Sequence, residues 1–182
     1  MKLSDMKIGK RNNEGLTLVE VIIVIAIMAV LTGMAALSIS IISGLPARQC
    51  AEEVHSTLSR VRIATMGKKE ETLLLTVRDD GVYLQEVIDG TAEPEKKVGK
   101  QGINVSYTLV TSGTEGGSTP LLSGSSLLFS FDRSSGAFSN LSINGVEKTD
   151  TYAGRISFQK GGKTYTVMMV PLTGKMSVSR NM

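Results

Sequence analysis

The chain has one cysteine, one histidine and no tryptophan among 182 residues. A single thiol excludes an intramolecular disulfide framework. The single histidine, His55, has no second ligand or nucleophile in sequence reach, so no Ser-His-Asp or Cys-His set can be built. No Cys/His cluster offers a zinc site. Aromatic residues make up 4% of the chain, which argues against a platform for stacking sugars or bases. Proline is missing before Pro46, and from Val21 to Ala47 there is no charged residue. Net charge is small as well. Of the formal +3, Lys2, Lys7, Lys10 and Arg11 against Asp5 and Glu14 place two charges in the first 15 residues, which leaves +1 on the remainder. A general role on nucleic acid or acidic surfaces does not follow from that balance.

What the chain does have is an apolar run. Val21–Ile42 is almost wholly Val, Ile, Ala, Leu and Met, 22 residues in all. As a helix it would be ~33 Å long, enough to cross a bilayer core. Glu20 sits just inside its N-terminal end. A charge within a membrane segment costs ~2.5–3.5 kcal/mol on insertion scales, so it calls for a named partner. A cut after Gly15 would supply one, because the new α-amino group on Leu16 lies at i, i+4 from Glu20. Within one subunit the two pair only loosely. Between neighbouring helices of a bundle, each Glu20 could neutralise the next chain's N-terminus and set the axial register. The bland alternative is a carboxylate at the headgroup boundary of an ordinary anchor.

Gly15-Leu16-Thr17-Leu18-Val19-Glu20, followed by the long apolar stretch, resembles the class III signal of type IV pilins and type II secretion pseudopilins. The resemblance implies cleavage after Gly15 by a prepilin peptidase, N-methylation of Leu16 and assembly through the helix with Glu20 as the contact. Leu16 departs from the commoner phenylalanine. The implied partners are the peptidase, sibling pilins or pseudopilins, the membrane and the inner-membrane assembly platform. No cofactor, metal or catalysis is implied.

Residues 1–15 read as a cytoplasmic leader, with four basic residues ahead of an apolar helix fixing that end inside. A general secretory signal fits poorly, since its apolar region would be only ~7–15 residues and end at small residues. Lipidation of Cys50 fits no better, because Arg48-Gln49 precede it. Thr32-Gly33, Ser38, Ser40 and Ser43-Gly44 interrupt the apolar helix. They suit either close helix packing or local unwinding. After Pro46 the pattern turns amphipathic, with Cys50, Val54, Leu58, Val61 and Ala64 or Thr65 on one face. Residues 16–66 are therefore expected as one N-terminal helix, 16–46 spanning or lining the filament core and 47–66 docked on a head, with a bend or break at Pro46. Met66-Gly67-Lys68-Lys69 closes it.

Residues 67–182 read as a β-rich head. Strands are expected at Thr72–Val77 and Val82–Ile88 around Asp79-Asp80-Gly81, then at Ile103–Val110, Leu127–Phe131 and Leu141–Ile143. Three more follow at Arg155–Gln159, Lys163–Val170 and Lys175–Ser179. A charged loop is expected over Asp89–Lys100 and a long mobile loop over the Gly-, Ser- and Thr-rich Thr111–Ser126. The fold class is α+β: a spine helix on two antiparallel sheets or one strongly bent sheet. Leu128-Phe129-Ser130-Phe131-Asp132 with Gly136, Ile156-Ser157-Phe158 and Thr173-Gly174-Lys175 resemble, more narrowly, the head of GspH/FimT-type minor pseudopilins.

Other chemistries lack their residues. Gly162-Lys163-Thr164 ends like a phosphate loop, but Ser157 stands where its first glycine is needed. At Asp79-Asp80 only two carboxylates cluster, too few for calcium. Two function classes stay open. One is a structural filament subunit, a single-pass inner-membrane protein with its head outside, ending in a surface filament or periplasmic pseudopilus. The other is a competence-type pseudopilin that contacts DNA. For the second, residues 147–182 carry six basic side chains against Glu147 and Asp150, and Lys160, Lys163, Lys175 and Arg180 are its candidate contacts. They are few and have no interleaved aromatics.

Overall fold

A computed structural model describes residues 17–42, 44–67 and 70–181, with the side chains of all these except 34–42 and 181. The chain divides into two compact units between Ile39 and Ser40, and each is taken by itself.

The first unit carries helix α1 (Leu18–Ile42) up to Ile39. Thr17 starts it: its carbonyl accepts the Val21 N–H at 3.1 Å, and its hydroxyl accepts the Glu20 N–H at 3.2 Å. A side-chain acceptor before an apolar run satisfies one of the donors that every helix start leaves open. Among the described residues, no helix is long and apolar enough to cross a membrane.

The second unit holds α2 (Leu45–Met66). The chain restarts its helix at the Pro46 position rather than bending through it. Pro46 lies in the first turn, where a missing N–H costs nothing. Ala47, Cys50, Ala51, Val54, Leu58 and Val61 are buried along one face, with Thr65 closing the row. Gly67 ends the helix by donating its N–H to the Ile63 and Ala64 carbonyls.

Among the described residues twelve strands follow, all pairs antiparallel. One sheet holds β1 (Glu71–Arg78), β2 (Gly81–Ile88), β3 (Thr91–Ala92), β4 (Lys96–Lys100), β7 (Ser126–Phe131), β8 (Phe138–Ile143) and β9 (Val146–Lys148). The other has the order β12 (Lys175–Asn181), β11 (Lys163–Val170), β10 (Thr151–Lys160), β5 (Asn104–Thr111), β6 (Thr114–Leu121). The chain crosses between the sheets three times. Leu73, Leu75 and Phe129 from one sheet, Ile156, Phe158 and Val167 from the other, and the α2 stripe form a single core.

Two expected loops are structured. Asp89–Lys100 contains β3 and β4, and β4 pairs with β2. Its only side-chain-free residue explains its place: a Cβ on Gly99 would come within 2.9 Å of Cys50 Sγ, so β4 lies directly against α2. Thr111–Ser126 contains β6, turned back on β5 by Ser112-Gly113, both at positive φ. β6 is an edge strand, exposed everywhere but Leu121. With nothing to bury, it shows no apolar alternation, which is the signal a sequence reading relies on.

Candidate functional site

Gly15 and Leu16 lie outside the described residues. Glu20 lies within them, at the third position of α1, exposed, with its own N–H held by Thr17. Thr17 and Glu20 have the spacing of a capping box, and a carboxylate in a first turn also meets the positive end of the helix dipole. The lone charge of the segment thus has a local role in starting the helix. The Thr17 bond uses the backbone N–H of residue 20, while the dipole acts on its carboxylate.

From Leu18 to Leu31 the large side chains of α1 are exposed all round the helix: Leu18 by 78%, Ile25 by 61% and Leu31 by 60%. A soluble surface helix keeps its apolar residues to one stripe. Here there is no polar face to turn to water. Ala26, Ile27, Val30 and Leu31 form a shallow apolar groove of about 280 Å³. Thr32 directs its hydroxyl back to the Met28 and Ala29 carbonyls, which hides the only polar side chain after Glu20 in that stretch. Nothing lies within 4 Å of a Cβ built on Gly33.

On the head, the four candidate basic contacts are not brought together. Lys160 and Lys163 face each other across the β10–β11 turn, and the Lys160 ammonium bonds the Gln101 carbonyl. The Lys163 stem packs over Gly44, where a Cβ would come 2.5 Å from its Cδ. Arg180 pairs in register with Tyr165 and lines a cleft with Arg48 and Glu52. Lys175 is paired with Val170 at the far end of the hairpin. Seven residues separate Val170 from Lys163, so Lys175 stands ~23 Å away and on the opposite face of the sheet.

The remaining chemical candidates are occupied. Cys50 is buried, and burial pushes its thiol up to about 12, so it is no nucleophile. Asp80 accepts the Lys97 ammonium at 2.8 Å and the Tyr83 hydroxyl, which hold its carboxyl below the usual range. Gly162-Lys163-Thr164 runs from a turn into β11, not into a helix. Among the described residues no group of three or more His, Cys, Asp or Glu could hold a metal.

One structural centre joins turns that the sequence singled out, Gly136 and Thr173-Gly174, to an arginine that it did not. Arg62 of α2 donates from Nε to the Gly136 carbonyl at 2.8 Å and from Nη2 to the Thr173 carbonyl at 2.9 Å. Those carbonyls belong to the β7–β8 and β11–β12 turns, one from each sheet. Phe138 N–H also donates to the Pro171 carbonyl at 3.0 Å. Gly174, at φ +62°, sits so close that a Cβ would meet the Gly136 oxygen at 1.9 Å. One guanidinium and one bare glycine thus close the head where both sheets end.

Residues 10–36 match the model of the prokaryotic N-terminal methylation motif. The match covers Leu16, Glu20 and the whole exposed stretch of α1 from Leu18 to Leu31. The motif implies processing by a prepilin peptidase, anchoring in the inner membrane before assembly, and filament formation, and it belongs to proteins that are typically structural rather than enzymatic. No curated protein and no solved structure matches the chain.

Proposed function

We propose that this chain is a minor pilin or pseudopilin, cleaved after Gly15, N-methylated on Leu16 and built into a type IV pilus or type II secretion pseudopilus through α1. Before assembly the apolar segment crosses the inner membrane once, leader inside and head outside. In the filament, Glu20 neutralises the α-amino group of a neighbouring subunit. The head is of the GspH/FimT kind. The observation that supports this reading best is the combination in α1: apolar side chains on every side, a single carboxylate at the third position, and the methylation motif over the same residues. A helix of that kind needs an apolar environment and has one charge to match. The DNA-contacting alternative draws no comparable support, since its four cations are split between two ends and two faces of the head.

The test is co-expression with a prepilin peptidase and intact-mass measurement. The expected mature chain begins at Leu16 and carries one added methyl group. Gly15→Val, which puts a branched side chain at the cut, is expected to stay full length. A cut near Ala47, or none in the wild type, would overturn the reading.

A further inference from the structure

The first turn of α2 carries Arg48, and other cations of the head gather around it on one face of a sheet. Lys160 continues the buried row of Ile156 and Phe158 on β10, and Lys163 continues that of Val167 on β11, so both project on the core side. Arg180 is in register with Tyr165, two residues from Lys163, and shares that side. The contacts agree with the alternation. The Lys163 stem packs over Gly44, and Arg180 and Tyr165 line a cleft of about 310 Å³ with Arg48 and Glu52. Lys160 bonds the Gln101 carbonyl, and its neighbour in sequence, Lys100, lines a second cleft against Pro46 and Gln49.

Little at this end cancels the charge. Arg48 is held by Glu52 at 2.7 Å. Lys160 meets a neutral carbonyl, and Lys100 and Arg180 are exposed and in no ion pair among the described residues. Of the carboxylates nearby, Glu53 and Asp80 are bound to Lys96 and Lys97, and Asp79, beside Gly102, remains as a counter-charge. Two large apolar side chains stand exposed in the same place. Leu45 opens α2 and is 41% exposed, and Leu122, 67% exposed, borders a cleft with Gly102, Gln159 and Thr164.

Ile42, the last residue of α1, is three positions before Leu45. A chain reaches at most ~3.6 Å per residue, so Leu45 stands within ~11 Å of the end of the apolar run, and α2 sets Arg48 ~5 Å further on. Cations set among exposed leucines beside an apolar segment have the make-up of an interfacial face. The leucines enter the headgroup boundary, and the cations meet lipid phosphates. A nucleic acid would match the cations but gain nothing from the leucines.

We propose that this end of the head seats on anionic phospholipid headgroups of the bilayer that holds α1, through Lys100, Lys160 and Arg180, with Leu45 and Leu122 at the boundary. The proposal rests on the membrane reading above.

The test uses the full-length protein in nanodiscs of phosphatidylcholine, alone or with increasing phosphatidylglycerol. A fluorophore sensitive to polarity is placed on Ser123→Cys, next to Leu122, and the buried Cys50 stays unlabelled. The emission is expected to shift to the blue with phosphatidylglycerol only, and to return in about 1 M salt, where charges are screened within ~3 Å. Arg180→Gln and Lys160→Gln are each expected to raise the phosphatidylglycerol fraction at half response by roughly fivefold. Lys175→Gln removes the same charge from the other end of the hairpin and is expected to respond as wild type. Equal emission in the two lipids, no loss in either Arg180→Gln or Lys160→Gln, an equal loss in Lys175→Gln, or the same blue shift from duplex DNA added to neutral nanodiscs would overturn the proposal. Failure of the membrane reading shows differently, as a chain that does not enter neutral nanodiscs at all.

Discussion

The two helices are of similar length, 25 and 22 residues, and follow opposite rules. In α2 the apolar residues from Ala47 to Val61 keep to one face and are buried against both sheets, with only Leu45, Ile63 and Met66 exposed towards its ends, while Glu53 and Arg60 on its flanks pair with Lys96 and Glu86. In α1 they occupy every face and are exposed from Leu18 to Leu31. A helix whose stripe is covered has found its partner inside the chain. One that is apolar all round has to find it outside. The contrast divides the labour of the molecule: α2 is part of how the head folds, and α1 is what the chain offers to a membrane or to other subunits.

The largest effect that would break this comparison is expected at Glu20. If its carboxylate pairs with a neighbour's α-amino group, removing it leaves that cation unpaired in a low-dielectric bundle. Truncating one member of such a pair costs ~3–5 kcal/mol, at least ~100-fold in association. Glu20→Ala is therefore expected to be cleaved and to stay in the membrane but to be lost from sheared filaments. The cap does not confuse the result, since Thr17 accepts the backbone N–H of residue 20, which alanine keeps. Thr17→Val is the complement. It removes the cap at a cost of ~1 kcal/mol, leaves the charge, and is expected to assemble. Fractionation into membrane and filament pools reads both variants, and wild-type levels of Glu20→Ala in filaments would place the carboxylate outside the assembly contact.

The next effect tests the burial side of the contrast. Leu58 is fully buried on α2, and Leu31 is 60% exposed on α1. The same change, leucine to alanine, is expected to cost the head ~2–5 kcal/mol at Leu58 and nothing measurable at Leu31. Urea midpoints of the full-length protein in micelles decide it. Equal losses at the two sites would mean that α1 is covered by its own chain.

How much of this could be read from sequence follows the same division. The α2 stripe from Cys50 to Val61 and the Asp79-Asp80-Gly81 hairpin stood out because burial on one face and the positive φ of Gly81 each select residue types. β6 did not, because an exposed edge strand containing Gly116-Gly117 selects almost nothing. Gly99 gave no warning either, since its reason is a neighbour 49 residues earlier, Cys50. Glu20 was legible as a charge out of place. Glu71 was not: its oddity is burial, and burial of one strand residue depends on what α2 and the other sheet bring over it. Arg62 likewise read as an ordinary polar flank of the helix. Its two carbonyl partners lie 74 and 111 residues away.

Arg62 gives a smaller, sharper test of how α2 joins the sheets. Arg62→Ala removes two charge-assisted bonds and leaves the Gly136 and Thr173 carbonyls to water, with an expected loss of about 2 kcal/mol. Arg62→Lys is expected to recover less than half, because one ammonium cannot reproduce a fork that reaches two carbonyls. Both variants should leave cleavage after Gly15 unchanged. A lysine variant as stable as wild type would show that charge at the end of α2, and not the bridge between turns, is what matters.

The smallest effect is expected at Asp132, in the turn that Arg62 holds. Its Oδ1 accepts the Ser134 hydroxyl at 2.6 Å, the Ser135 hydroxyl at 2.7 Å and both backbone N–H groups. The serine hydroxyls first, and the amides after them, hold its carboxyl well below the usual carboxylate range. A depressed folded-state value means that the group adds stability above its unfolded value of about 3.9 and loses it as pH falls from there toward the folded value. The side chain is exposed, so solvent screening keeps the contribution small. Asp132→Asn keeps an acceptor but not the charge. Its urea midpoint is expected slightly below wild type at pH 7, with the gap narrowing as pH drops below about 4. A gap of the same size at pH 7 and pH 3 would show that the turn depends on the shape of the side chain and not on its ionisation.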